Sequence, residues 1–311
     1  MVTIKDVARE SGLAVGTISR YLNGASVKKQ NRETIEQAIE RLGYQRNTLA
    51  RSMKTGKSMT IAVVVPQLAN MFCMRVIESV ERVLENYDYS VIVTDCNGME
   101  NRQTEKITML KNRMVDGFVL MPTGSDAQKV RDAAGDVPVV LIDRLMDLPI
   151  FDSVVVNNCE ATYDMVGRAV AQGIRKIGMI EGPQDIYSAR ERLRGFNMAL
   201  GDYQLENTYH VRGAYSAQSG YDAMKQLLGY DLDAVFVSNY EQTLGAIDAV
   251  SDSQADVTIL GFDSIELVNT VKQPYLFISQ PVEAIGKRAA ELLLARIRDP
   301  DKEFVNLVLK I

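Results

Sequence analysis

The sequence of 311 residues predicts a small all-α head followed by an α/β body of doubly wound parallel sheets. Residues 1–58 have short helical patterns and carry 11 Lys and Arg against 5 Asp and Glu, a net charge of +6. The remaining residues carry 24 against 35, a net charge of −11, and their short apolar runs alternate with helical patterns. Such alternation is typical of α/β folds. The basic part of an otherwise acidic chain is expected to meet nucleic acid.

The head is predicted to contain three short helices. Thr3 is the expected N-cap of the first helix, because Asp6 stands where a capping-box acid belongs. Gly12 ends this helix, and two more are predicted over about 15–23 and 31–42. Two helices joined by a tight turn with glycine form a helix-turn-helix, which lays its second helix in the major groove of DNA. Three small helices without a DNA role are the alternative.

The body is predicted to contain strands that are buried on both faces. Its first run, 60–66, is continuously apolar, as expected for a parallel strand with helices on both sides. Further predicted strands lie at 90–94, 117–121, 137–142, 153–156, 176–180, 234–237 and 258–260, and predicted helices include 76–87, 105–113, 161–172 and 192–200. Roughly 250 residues is long for one such sheet, so two similar lobes are expected.

Five segments of the chain carry a resemblance to a known family. They are Thr3-Ile4-Lys5-Asp6-Val7-Ala8, Thr17-Ile18-Ser19-Arg20, Leu22-Asn23-Gly24, Leu42-Gly43-Tyr44 and Ala50-Arg51-Ser52-Met53-Lys54-Thr55-Gly56. The chain resembles the lactose/galactose-repressor (LacI/GalR) family of bacterial transcription regulators over essentially its whole length. The resemblance implies a ligand-responsive, sequence-specific regulator, a repressor of a carbohydrate-utilisation operon. It would bind a near-palindromic operator in double-stranded DNA as a homodimer, or as a tetramer.

The resemblance also implies a division of the chain into three parts. Residues 1–45 are the helix-turn-helix head, residues 46–58 are a hinge helix and linker, and residues 59–311 are a periplasmic-binding-protein-like sensor domain. The N-lobe and C-lobe of this sensor are expected at about 59–156 plus 281–311 and at about 157–280. A small-molecule effector, a sugar or sugar derivative, would bind in the cleft beyond the carboxyl ends of the strands.

The residues expected to read bases lie at the start of the second helix. Arg20 can donate to O6 and N7 of guanine, which is worth about 1–3 kcal/mol of discrimination. Val15 can touch a thymine methyl, and Gly16 offers no side chain, so the base code is sparse. By resemblance, phosphate contacts are expected at Ile4, Thr17, Asn23, Lys28, Asn31 and Tyr44. The alternative for Arg20 is a solvated surface arginine.

A further base contact is expected from the hinge segment 47–53. A helix of two turns is marginal in water because nucleation is costly, so this one should form only when it docks. In the family, the hinge helix inserts an apolar side chain into the minor groove, and Met53 stands at that position. Arg46 stands where relatives tend to carry proline, so the hinge entry should be less rigid. An ordinary flexible linker is the alternative.

The candidate ligand contacts are Phe72, Asp143, Arg192, Asn239 and Asp263. Arg192 offers a planar, two-pronged donor for hydroxyls or an acid group, and by resemblance Asp263 is the opposing carboxylate. Phe72 can stack on a sugar ring or a base. Tyr240 stands where relatives carry an aspartate, which leaves the identity of the ligand open. The alternatives are a surface ion pair for Arg192 and Asp263, and a core position for Phe72.

Composition argues against several other classes of protein. His210 is the only histidine, which excludes a multi-histidine metal site, and no convincing catalytic constellation or Gly-rich phosphate loop is present. We therefore expect neither an enzyme nor a cofactor. Cys73, Cys96 and Cys159 lack paired or metal-ligand spacing and should be reduced, buried thiols. The sequence has neither a run of transmembrane length nor a signal peptide, so we expect a cytoplasmic protein without a membrane partner.

Two alternative functions remain open at this point. A sugar-binding transport protein would share the cleft fold, but it would need an export signal and no DNA reader. A catabolite-control type regulator would keep the DNA function and take a phosphorylated carrier protein as co-effector. The cationic residues of a helix predicted over 281–298 do not decide the question, since they could be solvated.

Overall fold

The computed structural model describes residues 2–22, 25–44, 56–205, 209–263 and 275–311. The hinge segment 47–53, with its expected base contact Met53, lies outside the described residues, as does Asn23. The chain divides into two compact units, Met1–Ser58 and Met59–Ile311. Within the described ranges, every helix is too short or too polar to cross a membrane.

The head contains the three predicted helices, α1 (Ile4–Ser11), α2 (Val15–Leu22) and α3 (Lys29–Leu42). The prediction that Thr3 caps α1 is confirmed, because its backbone N–H and its hydroxyl donate to Asp6 Oδ2 at 3.0 and 2.7 Å. These hydrogen bonds lower the pKa of Asp6. Gly12 ends α1 in the left-handed region, with φ at 67°. Helix α3 begins two residues earlier than predicted.

The three helices of the head share one small core. Val7 of α1, Ile18 of α2 and Ile35 of α3 are fully buried, and Ala38 is nearly so. Partly buried apolar residues from all three helices surround them. Because every helix contributes to the same centre, the faces of α2 and α3 that point away from it are available for other contacts.

The body contains two sheets in which all strand pairs are parallel, as predicted for a two-lobe α/β fold. The N-lobe sheet has the order β11-β5-β4-β3-β1-β2 and the C-lobe sheet the order β10-β9-β8-β6-β7. The N-lobe strands are β1 (Thr60–Val65), β2 (Ser90–Asp95), β3 (Gly117–Leu120), β4 (Val139–Ile142), β5 (Asp152–Val156) and β11 (Asn306–Leu309). The C-lobe strands are β6 (Ile177–Glu181), β7 (His210–Arg212), β8 (Ala234–Val237), β9 (Thr258–Phe262) and β10 (Tyr275–Ile278).

Helices cover both faces of each sheet. The N-lobe helices are α4 (Met71–Glu85), α5 (Glu100–Asn112), α6 (Ala127–Ala134) and α11 (Val282–Arg298). The C-lobe helices are α7 (Asn158–Ala171), α8 (Tyr187–Asp202), α9 (Ala217–Leu227) and α10 (Tyr240–Ser253). Strand β1 shows why its run is continuously apolar. Ile61 and Val63 belong to one buried cluster and Ala62 to another, on opposite faces of the same sheet.

Several elements differ from their predicted limits. Helices α4, α5, α7 and α8 begin three to five residues earlier than predicted. Their first turns follow the carboxyl ends of strands and contain few core-facing apolar residues, so the helical pattern is absent there. Strands β7 and β10 were not predicted, and both lie at an edge of the C-lobe sheet. In β7 only Val211 is apolar, so no apolar run marks this strand.

The sequence left open that the cationic residues of α11 are solvated, but one of them is buried. Arg296 is only 5% exposed, and its Nε donates to Asp152 Oδ2 at 2.9 Å. A second nitrogen of the same guanidinium lies 3.1 Å from Asp152 Oδ1. The guanidinium also donates to the carbonyls of Pro300 and Glu303. This buried pair therefore fixes the end of α11 against the start of β5 and the loop that leads into β11.

Candidate ligand cleft and DNA-reading surface

All five candidate ligand contacts line one cavity, between the carboxyl ends of strands from the two lobes. The cavity is bounded by Phe72, Asp143, Arg192, Asn239 and Asp263, together with neighbours from both lobes. The volume that the centres of water-sized molecules can occupy is about 80 Å³, several times the ~10–15 Å³ that one water needs. Sequence reasoning thus identified residues that the fold brings together from three strand ends and two helices.

The N-lobe wall of the cavity follows strands β1 and β4. Asn70 caps α4 by accepting a hydrogen bond from the backbone N–H of Cys73 at 2.9 Å, and this places Phe72 at the cavity. Phe72 also packs on the N-lobe core, so a core position and a ligand contact are compatible for this residue. Asp143 follows β4 with φ at 65° and accepts from Arg144 Nε at 3.2 Å. Arg144 is also held by the carbonyl of Pro122 at 2.8 Å.

Arg192 is fixed in the C-lobe wall by neutral partners. It is 3% exposed, its Nε donates to Asn158 Oδ1 at 2.9 Å, and another guanidinium nitrogen donates to the carbonyl of Ser238. The guanidinium carbon lies 3.6 Å from the ring centre of Phe262, at the end of β9. Its burial rules out the surface ion pair that the sequence left open. A preoriented arginine of this kind suits a planar or multiply hydroxylated ligand.

Asp263 faces the same cavity from the end of β9. Its backbone has φ at 80°, and its Oδ1 accepts from Gln280 Nε2 at 2.6 Å. Burial raises the pKa of Asp263 to about 6, although the positive charge of Arg192 and the hydrogen bond from Gln280 act in the opposite direction. A ligand that donates a hydrogen bond to this carboxylate would favour its ionised form.

Asn239 caps α10 and contacts an acid that the sequence analysis did not identify. Its Oδ1 accepts from the backbone N–H of Gln242 at 3.0 Å, and its Nδ2 donates to Glu241 Oε2 at 2.5 Å. Glu241 Oε1 accepts a hydrogen bond from Asn70 Nδ2, across the cleft. Burial raises the pKa of Glu241. The only sequence signal for this residue was its place two positions after Asn239.

Two buried polar atoms of the cavity wall have no partner with hydrogen-bond geometry among the described residues. They are the hydroxyl of Tyr215 and Oε1 of Gln280. A Cβ on Gly182 would lie 2.3 Å from the ring of Tyr215, so glycine is needed where this ring packs. Leaving a buried polar group unpaired costs about 1–3 kcal/mol, so both atoms are suited to a polar ligand. Sequence analysis missed Tyr215 because it follows the short strand β7.

The candidate base contacts lie on the exposed face of α2. Val15 is 41% exposed, Gly16 and Arg20 are also exposed, and Ile18 on the opposite face is buried. Rotation by about 100° per residue places the three candidates on one side of the helix. No described residue accepts a hydrogen bond from the side chain of Arg20 or forms an ion pair with it. This face is therefore open for DNA.

The candidate phosphate contacts differ in their exposure. Lys28 is exposed immediately before α3, and Asn31 lies in the first turn of that helix. Thr17 and Tyr44 are half-buried. Ile4 packs its side chain on the head core, so only its backbone is suited to a phosphate.

The cysteines differ in burial. Cys73 and Cys96 are buried, as expected, and burial raises the pKa of the Cys73 thiol to about 12. Cys159 is partly exposed, so the prediction of a buried thiol is wrong there. Within the described ranges, no three His, Cys, Asp or Glu side chains are grouped to hold a metal ion.

A helix-turn-helix head and a two-lobe body with a polar cleft define a ligand-responsive, DNA-binding transcriptional regulator. Comparison with protein families agrees. Residues 3–47 match the bacterial regulatory proteins of the lacI family, and residues 61–302 match the periplasmic binding protein domain. The chain belongs to the LacI family.

Three relatives illustrate the range of the family. The transcriptional repressor PurR of Vibrio atlanticus is 29% identical, with 97% of this chain and 94% of the relative covered. Catabolite control protein A of Priestia megaterium is 29% identical over 94% of this chain and 91% of its own length. The ribose operon repressor of Escherichia coli K12 is 30% identical over 96% and 94%. Two of the three are named as repressors and the third as a catabolite control protein.

Solved structures show the same architecture. The lac repressor dimer bound to operator and the anti-inducer ONPF is 27% identical with a TM-score of 0.88, covering 99% of this chain and 96% of that chain. The complex of the regulator CelR with cellobiose is 28% identical with a TM-score of 0.74, covering 100% and 97%. The predicted fold class is confirmed.

Proposed function

We propose that this protein is a repressor that binds a near-palindromic operator as a dimer and responds to a sugar or sugar derivative in the cleft. The observation that carries the proposal is the convergence of five candidate contacts, with two unpartnered polar atoms, in one cavity. The relatives named for ribose and cellobiose support a carbohydrate, and the lac repressor dimer on its operator supports the assembly. Such a regulator acts on chromosomal DNA, hence in the cytoplasm, and performs no catalysis.

The division of labour along the chain is part of this proposal. Residues 1–45 would bind DNA, residues 46–58 would form the hinge, and residues 59–311 would sense the ligand, with the lobe limits expected from the sequence. In the head, Arg20 would read a guanine and Val15 a thymine methyl, and Gly16 would allow close approach. Met53 would enter the minor groove. The phosphate contacts would be Ile4, Thr17, Asn23, Lys28, Asn31 and Tyr44.

In the cleft, the C-lobe wall would offer the ligand both a hydrogen-bond donor and an acceptor. Arg192 would donate to ligand oxygens, while Asp263 would accept from ligand hydroxyls. Phe72 would pack on an apolar face of the ring, with Asp143 and Asn239 as further polar contacts. Tyr215 and Gln280 join this proposal because their unpartnered atoms need partners that a polyhydroxyl compound offers.

The ligand would act on DNA binding by changing the angle between the lobes. Such coupling is reciprocal and typically worth about 1–3 kcal/mol, or roughly 5- to 150-fold in affinity. A carrier-protein co-effector has less support. Of the cations on α11, Arg296 is buried and Arg288 lies 2.8 Å from Glu291 in an ion pair, which leaves a weaker basic surface.

Two measurements on the purified full chain test the proposal. A thermal-shift screen of sugars, phosphosugars, uronates and nucleobases should find one class that raises the melting temperature by mass action. The same compound should change the affinity for an operator selected from random DNA, measured by fluorescence anisotropy. Failure to enrich any DNA sequence would overturn the head assignment. A compound that binds the cleft without changing operator affinity would overturn the coupling.

A further inference from the structure

Glu241 joins the two lobes of the sensor domain. Its Oε1 accepts from Asn70 Nδ2, which belongs to the N-lobe, and its Oε2 accepts at 2.5 Å from Asn239 Nδ2, which belongs to the C-lobe. The side chain itself projects from the first turn of α10. A single carboxylate therefore bridges two amides that stand on opposite sides of the cleft.

Both amides belong to residues that cap helices. The Oδ1 of Asn70 accepts from the backbone at the start of α4, and the Oδ1 of Asn239 accepts from the backbone at the start of α10. Each cap fixes the orientation of its amide, so both Nδ2 groups are held in place to donate to Glu241. The positive ends of the two helix dipoles also favour a negative charge there.

The bridge is formed where an unpaired charge would be costly. Burial raises the pKa of Glu241, and the hydrogen bonds from Asn70 and Asn239 oppose this rise. Separating the lobes would remove the hydrogen bond from Asn70 and expose one oxygen of the carboxylate to water. The contact across the cleft therefore contributes to the closed arrangement of the two lobes.

We propose that Glu241 is a latch that holds the two lobes closed across the cleft. The regulatory meaning of this latch rests on the proposed function, whereas the closure itself does not. A ligand must then enter a cleft that is already closed, so its association should be slowed in proportion to the fraction of molecules with an open cleft. Weakening the latch should open the cleft and speed ligand association.

The distance between the lobes tests the latch directly. Gln128→Cys on α6 and Gln218→Cys on α9 place spin labels at exposed positions of opposite lobes, in a Cys159→Ser background. Labelled full-length chains are mixed with an excess of unlabelled chains, so that one labelled chain is present per assembly. Pulsed electron resonance should give a narrow distance distribution for the otherwise unchanged protein. Glu241→Ala should broaden it and move it by several ångströms.

A matched control and a milder variant make the result decisive. Glu100 is also a first-turn carboxylate, but its ion pair with Lys129 lies within one lobe, so Glu100→Ala should leave the distribution unchanged. Glu241→Gln keeps the size of the side chain and one acceptor oxygen, but it places an NH2 group opposite one of the two asparagine Nδ2 donors. It should therefore also lengthen the distance between the spin labels. It replaces Glu241→Ala if circular dichroism shows that the alanine variant is unfolded. Distributions that superimpose for Glu241→Gln and the unchanged protein would overturn the latch.

Operator binding by the unchanged protein is measured separately by fluorescence anisotropy. If the unchanged protein does not bind an operator, the proposed function is wrong. The distances between the spin labels would still test the latch. If operator binding is present, Glu241→Ala should alter operator affinity at least threefold without ligand. Glu100→Ala should not.

Discussion

The DNA-reading face of the head and the ligand cleft of the body present their candidate residues in opposite ways. Arg20 and Val15 are exposed on one helix, and the side chain of Arg20 has no hydrogen-bond or ion-pair partner among the described residues. Arg192 and Asp263 are held in place by hydrogen bonds to other residues of the body. Exposed side chains become ordered when they contact DNA. A small ligand, in contrast, gains affinity from side chains that are already oriented. Substitutions should therefore have different consequences in the two places.

The largest effect is expected for Arg192→Ala. It removes a charged donor to the ligand, so ligand affinity should fall about 100-fold, corresponding to about 3 kcal/mol. It also leaves Asn158 and the carbonyl of Ser238 without their partner, which should lower the stability of the folded protein. Operator binding without ligand should remain. Isothermal calorimetry with the compound found by thermal shift measures the ligand affinity, and anisotropy measures operator binding. Unchanged ligand affinity would remove Arg192 from the site.

A loss of about 1–3 kcal/mol in sequence discrimination is expected for Arg20→Ala. The variant should bind the operator and a version with the contacted guanine replaced with nearly equal affinity. Lys28→Ala is the matched control. It should weaken binding to all sequences about equally and reduce the salt slope by about 1. Identical behaviour of the two variants would show that Arg20 contacts phosphate rather than a base.

The pH dependence of the free energy of unfolding should report the titration of Asp263. Because its folded pKa is raised from 3.8 to about 6, the folded state binds more protons than the unfolded state between those values. Stability from this group is therefore present below about pH 4 and is lost as pH rises through about 6, by up to about 3 kcal/mol. Asp263→Asn should flatten this part of the profile in thermal unfolding. A profile that stays the same after the substitution would contradict the assignment.

The smallest effect is expected for Tyr215→Phe. Without ligand the variant should be as stable as the unchanged protein or slightly more so, because an unpartnered buried hydroxyl is removed. With ligand it should bind about 3- to 10-fold more weakly, equivalent to one hydrogen bond of about 0.5–1.5 kcal/mol. The ratio of the two affinities from calorimetry measures this. Equal affinities would mean that the hydroxyl does not meet the ligand.

The head was easier to predict from the sequence than the cleft. Thr3, Asp6 and Gly12 act within the short helix that they bound, so their spacing alone indicates where α1 begins and ends. The buried strands were equally clear, because helices on both faces require unbroken apolar runs. The starts of α4 and α8 were less clear, since their first turns line the cavity and do not repeat the apolar spacing of a core-facing helix.

The local amino-acid sequence was sufficient to predict the alternation of strands and helices, the three helices of the head and the face of α2 that carries Arg20. These features depend on hydrogen bonds and contacts between residues that are close in sequence, or on the apolar pattern that buried strands share. The partnership of Asn70 with Glu241 depends instead on two helix ends that are 171 positions apart and meet only after both sheets form. The same holds for the unpartnered hydroxyl of Tyr215, because its lack of a partner among the described residues is a property of the whole cavity.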